Sequence, residues 1–286
     1  MYLATVLLGS IAGLAGQGDP GDFTWREALP AGITLEVRGR IGSIEAVAAT
    51  GRDAEVVGTF QSGKHGAPGQ IEIRVIRETG RIIICSVYPR NERWSNGNLD
   101  QHHDKDACEA AQHEKTIRGD NDTRVNYVVR VPVGVHFVGQ TVTDSVVIRG
   151  LRGDAEGYSV AGDVRISDVR GGVIDAASIS GDLSFEGVDA GDVYAGTLSG
   201  DVTFIGAIHS SGEYSFLSYT GEILVNLPTG AGVTLDVLAP KGDVASAVQL
   251  TPSASSPRRS SGRLGSGSAH MTVNTLNGKI RIEHRD

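Results

Sequence analysis

The sequence predicts an all-β fold, a β-solenoid or β-helix-like stack of two-strand coils of about 19 residues each. The first observation behind this is a glycine clock. Glycines stand at Gly153, Gly162, Gly172, Gly181, Gly191, Gly200, Gly212, Gly221, Gly232 and Gly242, and the gaps 153 to 162, 172 to 181, 191 to 200 and 212 to 221 are each nine residues. The intervening gaps are ten to twelve, so every second glycine returns after 19 to 21 residues. The second is a shared run after the turn: Asp163-Val164-Arg165-Ile166, Asp182-Leu183-Ser184-Phe185, Asp201-Val202-Thr203-Phe204 and Glu222-Ile223-Leu224-Val225 all read acid-apolar-x-apolar. The third is composition, with 39 glycines against 5% aromatic residues, which favours tight turns and thin side-chain layers. An antiparallel β-sandwich is the alternative, because a meander also turns every nine or ten residues. The two halves of each period differ, and that asymmetry favours the solenoid.

Tyr2 to Ala15 is apolar and uncharged, too short for a comfortable membrane span, and ends in small residues, so residues 1–16 read as a signal peptide. No Lys or Arg precedes that run, which keeps an uncleaved first strand open as a second reading. Residues 23–140 form an N-terminal β region, with alternating runs such as Ile33-Thr34-Leu35-Glu36-Val37 and Ile71-Glu72-Ile73-Arg74-Val75-Ile76. Within it, 89–122 is a polar loop. The regular repeat runs over 141–248, a flexible Ser/Pro/Arg loop over 249–269, and a terminal coil over 270–286 that closes the end of the fold.

The repeat has a simple physical reading. Glycine tolerates φ > 0, so Gly162, Gly181, Gly200, Gly221, Gly242 and Gly278 serve as structural turns. Apolar residues two and four places later share one face of a strand and point inward. The turns at Gly181, Gly200 and Gly221 are preceded by Ser/Thr-apolar-Ser/Thr, as in Ser178-Ile179-Ser180 and Thr197-Leu198-Ser199, and Ser159-Val160-Ala161 and Thr275-Leu276-Asn277 fit the same frame before Gly162 and Gly278. The apolar residue of this element is expected inward. The pairs Thr141/Thr143, Ser178/Ser180, Thr197/Ser199 and Ser218/Thr220 are expected outward, as a solvated hydroxyl face.

The net charge of −8 argues against a nucleic-acid partner. Cys85 and Cys108 form an even pair, which in an exported chain reads as a disulfide closing the polar loop; in a cytosolic chain they would be two separate thiols. The acid column Asp163, Asp182, Asp201, Glu222 and Asp243 could ligate Ca²⁺, but turn acids that cap local amides explain it more simply. His102, His103, Asp104, Glu109 and His113 are weak candidate ligands for a transition metal, with simple solvation the favoured reading. Arg152-Gly153-Asp154 is one more repeat turn. No Gly-x-Ser-x-Gly elbow, His-Glu-x-x-His motif or phosphate loop occurs, so no catalytic residue, metal or cofactor is assigned.

The repeated Ser-Gly-Asp turns, Arg130-Val131-Pro132-Val133-Gly134-Val135, and the tail Asn274-Thr275-Leu276-Asn277-Gly278-Lys279-Ile280-Arg281-Ile282 resemble a bacterial β-strand-repeat family of unknown function labelled "putative adhesin". Ile84-Cys85-Ser86-Val87-Tyr88-Pro89 with the later Cys108 is similar to a subgroup carrying a cysteine pair. The resemblance covers most of 33–282 and implies an exported β-solenoid without established catalytic residues. The expectation is a non-enzymatic surface or envelope interaction module, adhesin-like, located in the periplasm, at the cell surface or outside the cell. Its partner would be a cell-surface, glycan or protein ligand, with no span beyond the leader. A carbohydrate-active β-helix enzyme is the rival, and it would need two close carboxylates in a groove.

Overall fold

The computed structural model describes residues 22–65, 68–88, 108 and 121–285, the side chains of 252–255 and 285 excepted. The leader and most of the 89–122 loop therefore lie outside the described residues. The strands begin with β1 (Phe23–Ala28), β2 (Thr34–Arg38), β3 (Ile44–Ala48), β4 (Asp53–Gln61), β5 (Glu72–Glu78), β6 (Arg81–Val87) and β7 (Arg124–Val131). The regular part holds β8 (His136–Thr143), β9 (Val146–Arg149), β10 (Ala155–Ala161), β11 (Val164–Ser167), β12 (Arg170–Ser180), β13 (Leu183–Ser199), β14 (Val202–Gly206), β15 (Glu213–Thr220) and β16 (Ile223–Pro228). The last six are β17 (Val233–Leu238), β18 (Asp243–Ser246), β19 (Thr251–Ser256), β20 (Arg259–Leu264), β21 (Ala269–Asn277) and β22 (Lys279–Arg285).

The strands build two facing layers. Sheet A runs β1-β4-β7-β3-β9-β11-β13-β14-β16-β22-β18. Sheet B runs β5-β6-β2-β8-β10-β12-β13-β15-β21-β17-β20-β19. Strand β13 belongs to both, with Leu183 to Glu186 in sheet A and Asp192 to Ser199 in sheet B. Pairing is parallel through the middle of both sheets, and antiparallel pairs occur only at the ends. This is a stack of coils, not the antiparallel sandwich. Parallel strands place like residues above like at about 4.8 Å, so each coil completes the burial begun by its neighbour.

The inward columns follow from the pattern after each glycine. Val164, Ile166, Leu183, Phe185, Val202, Phe204, Ile223 and Val225 are all fully buried in one continuous core. Its middle is aromatic: Phe204 lies 5.0 Å from Phe216 and 5.9 Å from Tyr214, centroid to centroid.

Coil order in space differs from coil order in sequence at both ends. The β2–β3 coil sits between β6–β7 and β8–β9, and the β21–β22 coil sits between β15–β16 and β17–β18. The tail therefore does not close the end, as the sequence suggested, but is inserted one coil inside it. At the C-terminal end, hydroxyl placement agrees with this order. Thr275 Oγ1 donates to Gly221 O at 3.0 Å, while the coil that comes next in sequence has Ala239 three places before its glycine and lacks that donor. The expected flexible excursion is likewise corrected. Thr251–Ser256 and Arg259–Leu264 form an antiparallel hairpin that pairs with β17 and covers the end of sheet B.

Candidate functional site

The corner of each coil explains most of the sequence clock. A Cβ on Gly162 would overlap the carbonyl oxygen of Asp144, one on Gly181 that of Gly162, and one on Gly200 that of Gly181. The column continues through Gly221 against Gly200, Gly278 against Gly221, and Gly242 against Gly278. Asp144, the non-glycine in this slot, takes φ 76°, but Gly162, Gly181, Gly242 and Gly278 have no positive φ. Close stacking of backbones, more than a left-handed turn, is what excludes a side chain here.

Two side-chain ladders seal the same corner. Ser159 Oγ donates to Asp144 O at 3.0 Å, Ser178 to Gly162 O at 3.0 Å, Thr197 to Gly181 O at 3.1 Å and Ser218 to Gly200 O at 2.9 Å. The acids cap the next coil: Asp163 Oδ1 accepts from Asp182 N at 3.0 Å, Asp182 from Asp201 N at 2.8 Å, and Asp201 from Glu222 N at 2.7 Å. These acids are turn caps, and so is Asp154, which accepts from the amides of Gly172 and Val173.

The first hydroxyl of each pair is therefore buried, and the expected outward hydroxyl face does not form. The apolar residue beside it is turned to solvent instead. Val160, Ile179, Leu198 and Tyr219 are 40%, 52%, 52% and 54% exposed. They stack in register on the outer face of sheet B, because Ser159 pairs with Ser178, Ser178 with Thr197 and Thr197 with Ser218. One row further in lie Tyr158, Ala177, Gly196 and the exposed Leu217. A recoverable signal existed in the sequence. Counting in twos from the buried Ile174, Val193 or Tyr214 lands on Ser178, Thr197 and Ser218, never on Ile179, Leu198 or Tyr219.

Beside this apolar ladder lies a polar cluster that sequence reading missed, because its members come from strands far apart in the chain. His136 Nε2 is 2.9 Å from Glu156 Oε1. The Tyr158 hydroxyl is 2.7 Å from Glu156 Oε2 and 3.0 Å from Asp175 Oδ2. The hydrogen bond from His136, followed by that from Tyr158, holds the Glu156 carboxyl below its usual range despite partial burial. Burial pushes the Asp175 carboxyl up, and the neighbouring Glu156 adds to this. Burial and the two carboxylates raise the Tyr158 phenol. Two close carboxyls with opposed shifts are thus present, but the Tyr158 hydroxyl occupies the space between them.

A separate shallow depression of about 500 Å³ on the sheet A side is lined by Ser167, Asp168, Glu186, Gly187, Ile205, Asn226 and His284. Cys85 and Cys108 are joined in a buried disulfide with Cα atoms 5.9 Å apart. The metal candidates His102, His103, Asp104, Glu109 and His113 lie outside the described residues. Among the described residues no group of three or more His, Cys, Asp or Glu is arranged to hold a metal ion, and no helix is long and apolar enough to cross a membrane.

Residues 152–283 match the family Toastrack DUF4097. No curated protein matches the chain. Among solved structures, the chain is similar to a "putative cell adhesion protein" from Clostridium sporogenes at 10% identity and TM-score 0.41, covering 92% of this chain and 100% of that one. A "putative adhesin" from Bacteroides fragilis is 13% identical with TM-score 0.38, covering 92% and 98%. A "putative lipid binding protein" from Parabacteroides distasonis is 10% identical with TM-score 0.28, covering 94% and 98%. The matched stretch, residues 152–283, is the part of the chain built of stacked parallel coils with Gly-acid corners, and over it the chain is similar to the Toastrack DUF4097 family.

Proposed function

We propose that this protein is a non-enzymatic interaction module that works outside the cytoplasm, adhesin-like, and docks through the outer face of sheet B. One observation carries the reading: the in-register ladder Val160, Ile179, Leu198 and Tyr219 leaves apolar side chains in water although the core is already complete. An aligned apolar strip of this kind marks an interaction surface, whereas scattered exposed apolar residues do not. The disulfide supports an oxidising compartment and therefore export, whether to the periplasm, the cell surface or beyond. A rigid stack presenting the same feature on each coil lets weak contacts add.

The test is retention of the purified full-length chain on envelope fractions and on a glycan array, compared with the double variant Ile179→Ser/Leu198→Ser. Retention that drops with the double variant at unchanged thermal stability supports the reading; equal retention of both proteins sinks it. Cell fractionation with thiol titration tests the compartment, since a cytoplasmic chain with reduced Cys85 and Cys108 would remove export.

A second reading, a carbohydrate-active enzyme, is favoured by Glu156 and Asp175 meeting on neighbouring strands with opposed shifts. Release of reducing ends from polysaccharides that disappears in Asp175→Asn would establish it. The Tyr158 hydroxyl between the two carboxyls speaks against it, because a glycosidic oxygen would have to displace it.

A further inference from the structure

Three features of the outer face of sheet B converge on one kind of ligand. The first is Gly196, at an outward position in the middle of a strand. A Cβ there would meet nothing within 4 Å, and its φ is not in the left-handed region. Packing does not require this glycine, and glycine weakens a strand. With Ala177 paired to it, Gly196 keeps a shallow trough open beside the Ile179–Leu198 ridge. A strand glycine without an internal reason is the expected mark of a surface that something approaches closely.

The second feature is charge. The ladder is bordered on the corner side by Asp182 and Asp201, three residues after Ile179 and Leu198, and on the other side by Glu156 and Asp175, four residues before Val160 and Ile179. At about 3.3 Å per residue these carboxylates stand roughly 10–13 Å to either side of the ridge. Asp182 and Asp201 are exposed, and neither forms an ion pair among the described residues. A second copy of the chain is a poor occupant. Facing two such surfaces puts the corner acids of one copy against either the corner acids or the Glu156–Asp175 side of the other. An anionic membrane or acidic polymer is repelled for the same reason.

The third feature is spacing. Parallel strands repeat the ridge every 4.8 Å or so, and an α-helix presents one face every 5.4 Å or so, so three to four turns stay roughly in step with four rungs. A helix about 10–12 Å across lying along the ridge and trough holds long Lys or Arg side chains toward both rows of carboxylates.

We infer that the trough over Ala177 and Gly196, with the ridge Ile179–Leu198 and its two flanking rows of carboxylates, is a docking site for a basic amphipathic helix: one apolar stripe with Lys or Arg on both shoulders. The inference rests on the reading of this face as an interaction surface and names the chemistry of its partner. Ridge and stripe supply apolar burial, and the flanking charges set orientation and association rate.

The probe is a fluorescent designed peptide of about 18 residues, roughly 27 Å as a helix, made of Leu along one stripe and Lys elsewhere. Its controls are a scrambled peptide of the same composition and a version with Glu in place of Lys. Fluorescence anisotropy with the full-length chain is expected to show binding of the amphipathic basic peptide only, weakening as salt rises. Gly196→Leu fills the trough where there is room for it and is expected to weaken binding about tenfold or more without lowering Tm. Asp182→Asn/Asp201→Asn keeps the carbonyl acceptors of the caps and is expected to reduce the salt dependence. Equal binding of the scrambled or the acidic peptide overturns the inference, as does unchanged binding by Gly196→Leu. If no peptide binds but envelope or glycan retention still depends on Ile179 and Leu198, the helix inference falls and the surface reading stands. If neither occurs, both fall.

Discussion

The corner of each coil and the outer face of sheet B repeat with the same period, yet they answer to different demands. At the corner every group has an internal partner: glycine makes room for the neighbouring backbone, a hydroxyl meets its carbonyl, and an acid caps an amide. On the outer face, two residues earlier, the apolar side chains stand in water and a mid-strand glycine fills no steric need. Periodicity alone thus does not separate scaffold from surface. The separation lies in whether removing the side chain leaves something inside the protein unsatisfied.

That contrast can be broken by one substitution made at two nearby positions. Gly200→Ala pushes a Cβ into the Gly181 carbonyl, and the stack must part locally; a loss of about 3 kcal/mol or more is expected. Gly196→Ala, four residues away, meets open space and is expected to stabilise by about 0.5 kcal/mol by restricting the unfolded chain. Thermal and urea unfolding of both variants decides this, and two losses of similar size would end the distinction.

A smaller effect sharpens the corner itself. Ser218→Ala removes the donor to Gly200 O and is expected to cost about 1 kcal/mol, because the buried carbonyl loses a partner. No change in the urea midpoint would mean that this ladder is incidental.

Acid titration probes the polar cluster of the outer face. The folded Glu156 carboxyl lies below its unfolded value of about 4.3, so its contribution is complete above that pH and is lost as pH falls through the lower folded value. Asp175 is raised and works in the opposite sense: its penalty appears as the carboxyl ionises and is absent in acid. Glu156→Gln is therefore expected to flatten the fall in stability below about pH 4, and Asp175→Asn to raise stability at neutral pH. A Glu156→Gln curve parallel to wild type would contradict this.

The smallest effect belongs to the ladder. Leu198→Ser on the outer face should change stability by no more than about 0.5 kcal/mol, since the side chain is half exposed. A larger loss would show the ridge to be part of the core.

Much of the architecture was legible because it is local. The glycine spacing and the acid-apolar-x-apolar runs specify turn, strand and inward face within a few residues, as Val164 and Ile166 or Val202 and Phe204 show. The orientation of Ser178-Ile179-Ser180 was misread for a physical reason. Polarity is a poor guide to facing when a buried hydroxyl finds a carbonyl one coil away, as Ser178 does at Gly162. The Glu156–Tyr158–Asp175 cluster with His136 could not be read from the chain, because strand register alone brings its parts together.

The sequence by itself determined an all-β coil of about 19 residues, its glycine corners and its inward columns, since each depends on steric and periodic rules that act along the chain. The tertiary structure alone decided which coil lies beside which. It placed β2–β3 and β21–β22 between coils that are distant in sequence and turned Val160, Ile179, Leu198 and Tyr219 outward. At the C-terminal end the coil set against Gly221 is the one whose Thr275 satisfies that carbonyl, and such a relation between coils is contained in no single repeat.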